Sequence, residues 1–299
     1  MRKLFAVSIF TFITFISYSQ ITIDDSDMPA IGDIYLYRII DSLTTQYNDT
    51  SGANITWDYS NLTSTNYRLD TFVSSFSTNT AYAYVFLNTM AVPGEDMSNQ
   101  AVQITEVYNF YKNTSSSYVK EGQGAKVNGI PMPIEYDNNE VYYNFPLNYG
   151  DADSSVSNWD ISVPNLGYYG QKIERSWFCE GWGTLIFPYG QFNVLKIRTE
   201  ITKTDTLYYD SLGFGTTFPP RHTTEYTWIS NNTGTALLKV IEENFTTKIA
   251  FRDSLSSLTN IEEQNQITEN QEIIFPNPAK NFIKLSNCNA YKYEIIDNK

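Results

Sequence analysis

The 299-residue sequence contains one histidine, His222, and two cysteines, Cys179 and Cys288. A multi-histidine metal centre is excluded by that count, and no Cys-x-x-Cys pair is present for zinc or dithiol chemistry. Any Ser-His-Asp or Cys-His mechanism must run through His222, with Cys179 or a serine as nucleophile. No Gly-x-Ser-x-Gly elbow accompanies it, and its position after Pro219-Pro220 reads as a solvated loop. Basic residues are also scarce, 20 Lys and Arg against 33 Asp and Glu, with no Lys/Arg run. Such a surface repels phosphate backbones and anionic lipid heads, so nucleic acid and membrane surfaces are not expected partners. Beyond residue 16 no apolar run approaches the roughly 20 residues that a membrane-spanning helix needs.

The first 19 residues have the layout of a secretory signal peptide. Arg2-Lys3 forms a positive n-region, Leu4 to Ile16 is apolar, and Ser17-Tyr18-Ser19 gives a small-x-small cleavage site before Gln20. No cysteine stands there to carry a lipid anchor. Loss of Arg2 and Lys3 with the leader takes the formal charge from −13 to −15. In an exported, oxidising setting two cysteines could pair. Cys179 and Cys288, however, fall in segments of different character, and no bridge between them is expected.

What the chain has in quantity is β-forming residues, including 23 Tyr and 18 Phe, in short runs broken by Asn, Gly, Pro and Ser. Phe187-Pro188-Tyr189-Gly190 carries turn chemistry, so Gly183 to Phe187 and Phe192 to Thr199 are expected to pair as a hairpin. Asn231-Asn232-Thr233-Gly234 does the same between Tyr226–Ile229 and Leu237–Val240. Ala81 to Leu87, apolar on both faces, reads as a central strand. Val102 to Tyr111 and Val141 to Phe145 read as further strands. The expected fold is all-β, an antiparallel β-sandwich or open half-barrel over residues 20–252. Residues 253–270, polar and acidic, read as a linker.

The stretch Ile273-Ile274-Phe275-Pro276-Asn277-Pro278-Ala279-Lys280-Asn281-Phe282-Ile283-Lys284-Leu285, followed by Tyr291 to Asp297, resembles the opening of the type A C-terminal sorting domain of the type IX secretion system of Bacteroidota. The resemblance implies Phe275, Pro276, Asn277, Pro278 and Ala279 as the sorting motif and the type IX machinery as a partner. It also implies a secreted or cell-surface destination. Family sorting domains are complete Ig-like sandwiches, whereas residues 271–299 suffice for about three strands. An incomplete sorting domain is therefore expected here. Residues 52–62 and 181–196 look like strings in exported Bacteroidota β proteins bearing the same label. The second string also looks like a hairpin of lipocalin-like or lipid-carrier half-barrels.

Constellations for chemistry are sparse. Asp24, Asp25 and Asp27, and the Asp-x-Asp of Asp151 and Asp153, place carboxylates at loop spacing without the glycine and glutamate of a full calcium loop, and read as turn acids. No pair of acids stands out for glycoside hydrolysis. Tyr82, Tyr84 and Phe86 on one strand face, with Trp57, Trp159, Trp177, Trp182 and Trp228, can stack on a sugar or line an apolar pocket, though core packing is their commoner use. Asp-Ser/Thr-Leu at residues 41–43, 205–207, 210–212 and 253–255 resembles the O-glycosylation acceptor of exported Bacteroidota proteins, and is also ordinary turn chemistry. The reading is an exported, non-enzymatic β protein without a cofactor, binding a glycan or a small apolar ligand. The alternative is a secreted hydrolase using carboxylates or a Cys179–His222 pair.

Overall fold

The computed structural model describes residues 20–42, 47–98, 103–163, 167–210, 213–255, 273–275 and 284–286. The chain divides at Arg252/Asp253 into two units. The first is a β-sandwich whose sheets do not close into a barrel.

Its larger sheet has ten strands. Three come early: β1 (Ile34–Ser42), β2 (Gly52–Asp58) and β3 (Tyr67–Thr71). Six strands of the smaller sheet follow: β4 (Val73–Ser74), β5 (Met90–Pro93), β6 (Met97–Ser98), β7 (Gln103–Asn113), β8 (Ser117–Val127) and β9 (Ile130–Asn144). The chain then returns to the larger sheet with β10 (Ala152–Val163), β11 (Gly167–Phe187), β12 (Gly190–Tyr209), β13 (Phe214–Thr217), β14 (Arg221–Ile229), β15 (Leu238–Glu243) and β16 (Thr246–Asp253). The main order is β10-β11-β12-β14-β15-β16-β1-β3, so the last strand of the unit lies beside the first.

Both expected hairpins form. Phe187 pairs with Gly190 across Pro188-Tyr189, in a ladder extending to Gly167 and Tyr209. Trp228 pairs with Leu238 across the Asn231–Gly234 turn. β2 departs from the antiparallel ladders that join β10 to β16 and runs parallel to the end of β11, Trp57 beside Leu185. A Cβ on Gly183 would lie 1.9 Å from the Ile55 carbonyl oxygen, so glycine is what lets these backbones approach.

Alternation along the strands sorts the core by face. On β12, Leu195, Ile197 and Ile201 are buried between the sheets with Trp177, Cys179 and Ile173 of β11, against Val92, Tyr118, Ile134 and Tyr136 of the smaller sheet. The opposite face of the larger sheet buries Trp57, Leu185, Val194, Trp228, Leu238 and Val240. There Lys196, fully buried, donates to Thr50 O and pairs with Glu180 at 2.7 Å, its Nζ 4.8 Å from the Tyr226 ring centre.

Ala81 to Leu87 departs from expectation. Thr80–Val85 forms a short helix, α1, with the Asn79 side chain accepting from the Ala81 N–H at 3.0 Å as N-cap. Tyr82 and Phe86, four residues apart, share the buried face and meet Phe110, while Tyr84 is 77% exposed. The three aromatics therefore share no strand face. Gly124 and Gly122 give the helix its seat, since a Cβ on either would meet the Tyr82 or Phe86 ring at about 2.8 Å.

The second unit contains β17 (Ile273–Phe275) paired antiparallel with β18 (Lys284–Ser286), Ile274 opposite Leu285. Residues 1–19, Pro276–Ala279 and Cys288 lie outside the described residues, as do residues 256–270 of the expected linker. Asp253 itself ends β16. Among the described residues, no helix is long and apolar enough to cross a membrane.

Candidate functional site

A cavity of ≈ 200 Å³ lies within the first unit, lined by residues of both sheets. One side comes from the larger sheet: Arg175 of β11, Thr199 of β12, Glu225 and Thr227 of β14, and Lys239 of β15. The ladder puts Thr199 opposite Glu225, and Thr227 opposite Lys239, so these side chains occupy two neighbouring rows on one face of the sheet. The other side is tyrosine: Tyr111 of β7, Tyr118 of β8, and Tyr142 and Tyr143 of β9. Arg68 and Asp70 of β3, joined by a two-pronged ion pair at 2.7 and 2.9 Å, and the buried Asp27 add to the charged lining, with the Arg68 side chain 45% exposed.

Arg175 is the central group. Its side chain is 5% exposed, its Nε donates to Glu140 Oε1 at 2.8 Å, and its guanidinium carbon lies 4.2 Å from the Tyr142 ring centre. Nη1 lies 3.9 Å from Glu225 Oε2, beyond hydrogen-bond reach, and Lys239 Nζ holds that same oxygen at 3.0 Å. Among the described residues neither Nη1 nor Nη2 of Arg175 donates a hydrogen bond. A guanidinium carries five N–H donors, so the terminal donors of a buried one are left unmatched beside an open space.

The hydroxyls of Thr199 and Thr227, residues that are each 4% exposed, also make no hydrogen bond among the described residues, nor do those of Tyr118 and Tyr143. Tyr37, by contrast, donates to the Ala236 carbonyl at 2.7 Å and meets the Thr235 hydroxyl.

The electrostatics are balanced. Burial pulls the Glu140 carboxyl upward, but Arg175 and Lys120 hold it below its ordinary value. Glu225 is likewise pulled upward by burial and held down by Lys239 and Arg175. Burial works against the Arg175 charge, yet Glu140, Tyr142 and Glu225 more than offset it. Lys120, its Nζ 5.4 Å from the Tyr136 ring centre, is pushed down to about 8 by burial, with Glu140 opposing. Burial also raises the Tyr118 and Tyr142 phenols well above their usual range. The wall thus presents three ion pairs, un-ionised tyrosines and spare donors.

The residues singled out from sequence lie elsewhere. Cys179 is fully buried between the sheets, its thiol pushed up to about 12 by burial. His222 is exposed, on β14 rather than in a loop, with Nδ1 3.1 Å from the Thr202 hydroxyl. Cys179 pairs with Ile197 and His222 with Thr202 of the same strand, five positions on. At about 3.3 Å per residue that is about 17 Å along the strand, which ends the Cys-His dyad.

Asp151 accepts from the Asn148 N–H at 2.7 Å, and Asp153 from Asn144 Nδ2 and the Ser154 N–H, so both hold turns. Asp24, Asp25 and Asp27 form a capped single turn of 3-10 helix, and Asp27 is buried. Trp57, Trp159, Trp177 and Trp228 are core residues and Trp182 packs against the core, so the tryptophans build no exposed platform. In the Asp205-Thr206-Leu207 string, Asp205 accepts from Tyr169, Gln171 and Arg221, each at 2.7 Å, inside the sheet.

The site residues missed from sequence were Arg175, Glu225 and Glu140. Their signal was a charge in an apolar row: Arg175 falls in register with Ile173, Trp177 and Cys179, and Glu225 with Thr227 and Ile229.

No protein-family model and no curated protein matches the chain. The solved structures that resemble it include a candidate lipoprotein of Parabacteroides distasonis, 11% identical, over 75% of this chain and 95% of that one, at a TM-score of 0.31, a likeness too slight to bear on function.

Proposed function

We propose that this is an exported, non-enzymatic β-sandwich protein that binds a small ligand between its sheets. The observation that supports binding most directly is Arg175, 5% exposed, lining a cavity with its two terminal nitrogens unmatched. The ≈ 200 Å³ space is below the ~300–1,000 Å³ of sites for drug-sized molecules, which favours a single small ring over a lipid chain or an oligomer. Alternating charges and phenols also suit a polar occupant better than an apolar one. Export rests on the sequence: the leader at 1–19, and a polar linker after Asp253, up to residue 270, joined to a sorting segment at 271–299 whose motif Phe275 to Ala279 addresses the type IX machinery. The destination is then the exterior or the cell surface.

The hydrolase alternative has less support. Carboxylate catalysis by an acid and a base needs one carboxyl kept protonated, whereas Glu140 and Glu225 are both held in the ionised range by cations. The binding reading is tested by thermal-shift and calorimetric screening of the full chain against sugars, amino acids and short fatty acids. Saturable stabilisation by at least one class is expected; the absence of any would overturn it.

A further inference from the structure

From the donor and acceptor inventory of the cavity we infer that its ligand is a neutral, polyhydroxylated ring, one sugar unit in size, held by Arg175, Glu225 and the two threonines. This rests on the binding role proposed above and specifies its chemistry.

Charge comes first. Arg175 is neutralised by Glu140 at 2.8 Å, Lys239 by Glu225 at 3.0 Å, and Arg68 by Asp70 at 2.7 Å, while Asp27, the remaining charge on the lining, accepts from three N–H groups, of Asp24, Asn231 and Asn232. An anionic ligand would meet Arg175 only with Glu225 Oε2 3.9 Å from Nη1, and a cation would meet Glu225 only beside Lys239 and Arg175. Bringing an extra charge into this desolvated, already paired cluster is costly. A neutral ligand avoids that cost.

Hydrogen-bond capacity comes second. The unmatched groups include pure donors, the Arg175 Nη atoms, a carboxylate acceptor, Glu225 Oε1, and hydroxyls that do both, on Thr199, Thr227, Tyr118 and Tyr143. An occupant rich in groups that both donate and accept satisfies such a mixture, and a hydroxyl does both through a single atom. A vicinal diol could accept from Nη1 of Arg175 through one oxygen and donate to Glu225 through its neighbour.

Shape comes third. Tyr111 and Tyr118 stack at 5.4 Å with Tyr142 set edge-on to both, giving an aromatic wall for the C–H face of a ring. The space, ≈ 200 Å³, is below the ~300–1,000 Å³ of sites for drug-sized molecules and suits a single ring.

The experiment is titration calorimetry of the full chain with D-glucose, D-galactose and D-mannose in parallel with D-glucuronate, glycine and octanoate. Binding by at least one neutral hexose is expected, with glucuronate weaker. Thr227→Val keeps the buried shape and removes one hydroxyl, so it should weaken hexose binding about five- to tenfold without altering the fold. Arg175→Lys should weaken it about 10- to 100-fold, its folding checked by circular dichroism. Saturable binding of glycine, glucuronate or octanoate with no hexose binding overturns the neutral-ring inference and leaves the binding role standing. Hexose binding unchanged in Thr227→Val and in folded Arg175→Lys places the sugar elsewhere and also overturns it. No binding by any probe overturns both.

Discussion

Arg175 of β11 and Glu140 of β9 join the two sheets of the sandwich through one hydrogen bond, Nε to Oε1 at 2.8 Å, with 5% and 4% of their side chains exposed. Removing one member of such a pair leaves the other charge buried without compensation. Glu140→Gln is therefore expected to destabilise the fold by about 3–5 kcal/mol, and Arg175→Met/Glu140→Met by much less. Urea denaturation of Arg175→Met, Glu140→Met and the double checks this; a loss in the double equal to the sum of the two singles would show that the pair is not coupled.

The same carboxylates set the acid limit. Glu140 and Glu225 lie below their ordinary value of 4.5 in the folded protein, so the unfolded chain binds more protons as acid is added. Their contribution is complete above 4.5 and is lost as pH falls through the folded values. Urea midpoints measured from pH 6 to pH 3 should fall below about 4.5, and a Glu140→Gln/Arg175→Met chain should fall less steeply.

Lys120 acts at the other end. Its folded value of about 8 lies below its ordinary 10.5, so between these the unfolded chain holds the extra proton and stability rises with pH. The rise should be visible from about 8 until tyrosine ionisation begins to oppose it near 10. Lys120→Met should remove it, and an unchanged slope in that variant would assign the rise to another group.

Asp27 anchors the start of the sandwich to the β14–β15 turn. It accepts from the Asp24 N–H at 3.0 Å, Asn231 Nδ2 at 3.0 Å and the Asn232 N–H at 2.6 Å. Asp27→Ala should cost about 2–3 kcal/mol and make residues 20–30 an early site of limited proteolysis. Protection equal to that of the parent chain would mean that Ile23, through its bridge to Leu147, holds the segment by itself.

Cys179, buried with its thiol raised to about 12, should resist alkylation in the folded protein and react only through global opening. Peptide mapping after iodoacetamide, with and without urea, separates it from Cys288. Fast modification without urea would place the thiol in a locally opening region.

Turn chemistry made the hairpins legible. Pro188 with Gly190, and the Asn231–Gly234 string, fix where the chain reverses, and the ladders follow from alternation on either side. Ala81 to Leu87 misled because an all-apolar heptad fits either period. The Asn79 cap and the four-residue spacing of Tyr82 and Phe86 were the helical signals, and Gly122 and Gly124, forty residues on, supplied the seat. The cavity was the least legible part. A charge in an apolar row could be noticed in Arg175, but that Glu140 and Glu225 meet it depends on how two sheets face each other. Of the aromatics singled out, Tyr82, Phe86 and the tryptophans other than Trp182 are core residues, where large rings do the work that few leucines would otherwise do, while Tyr84 is 77% exposed.

The order of the strands also constrains how the molecule comes together. β4 to β9 follow one another without interruption and can pair as they emerge from an N-terminal start. β1 and β3 cannot join the larger sheet until β16 is in hand, because β1 lies against β16. Until then the β1–β3 pair keeps an open edge along β1, an arrangement open to mispairing, and so many distant contacts predict slow folding. In this molecule completeness of the large sheet is a late event, decided by its final strand.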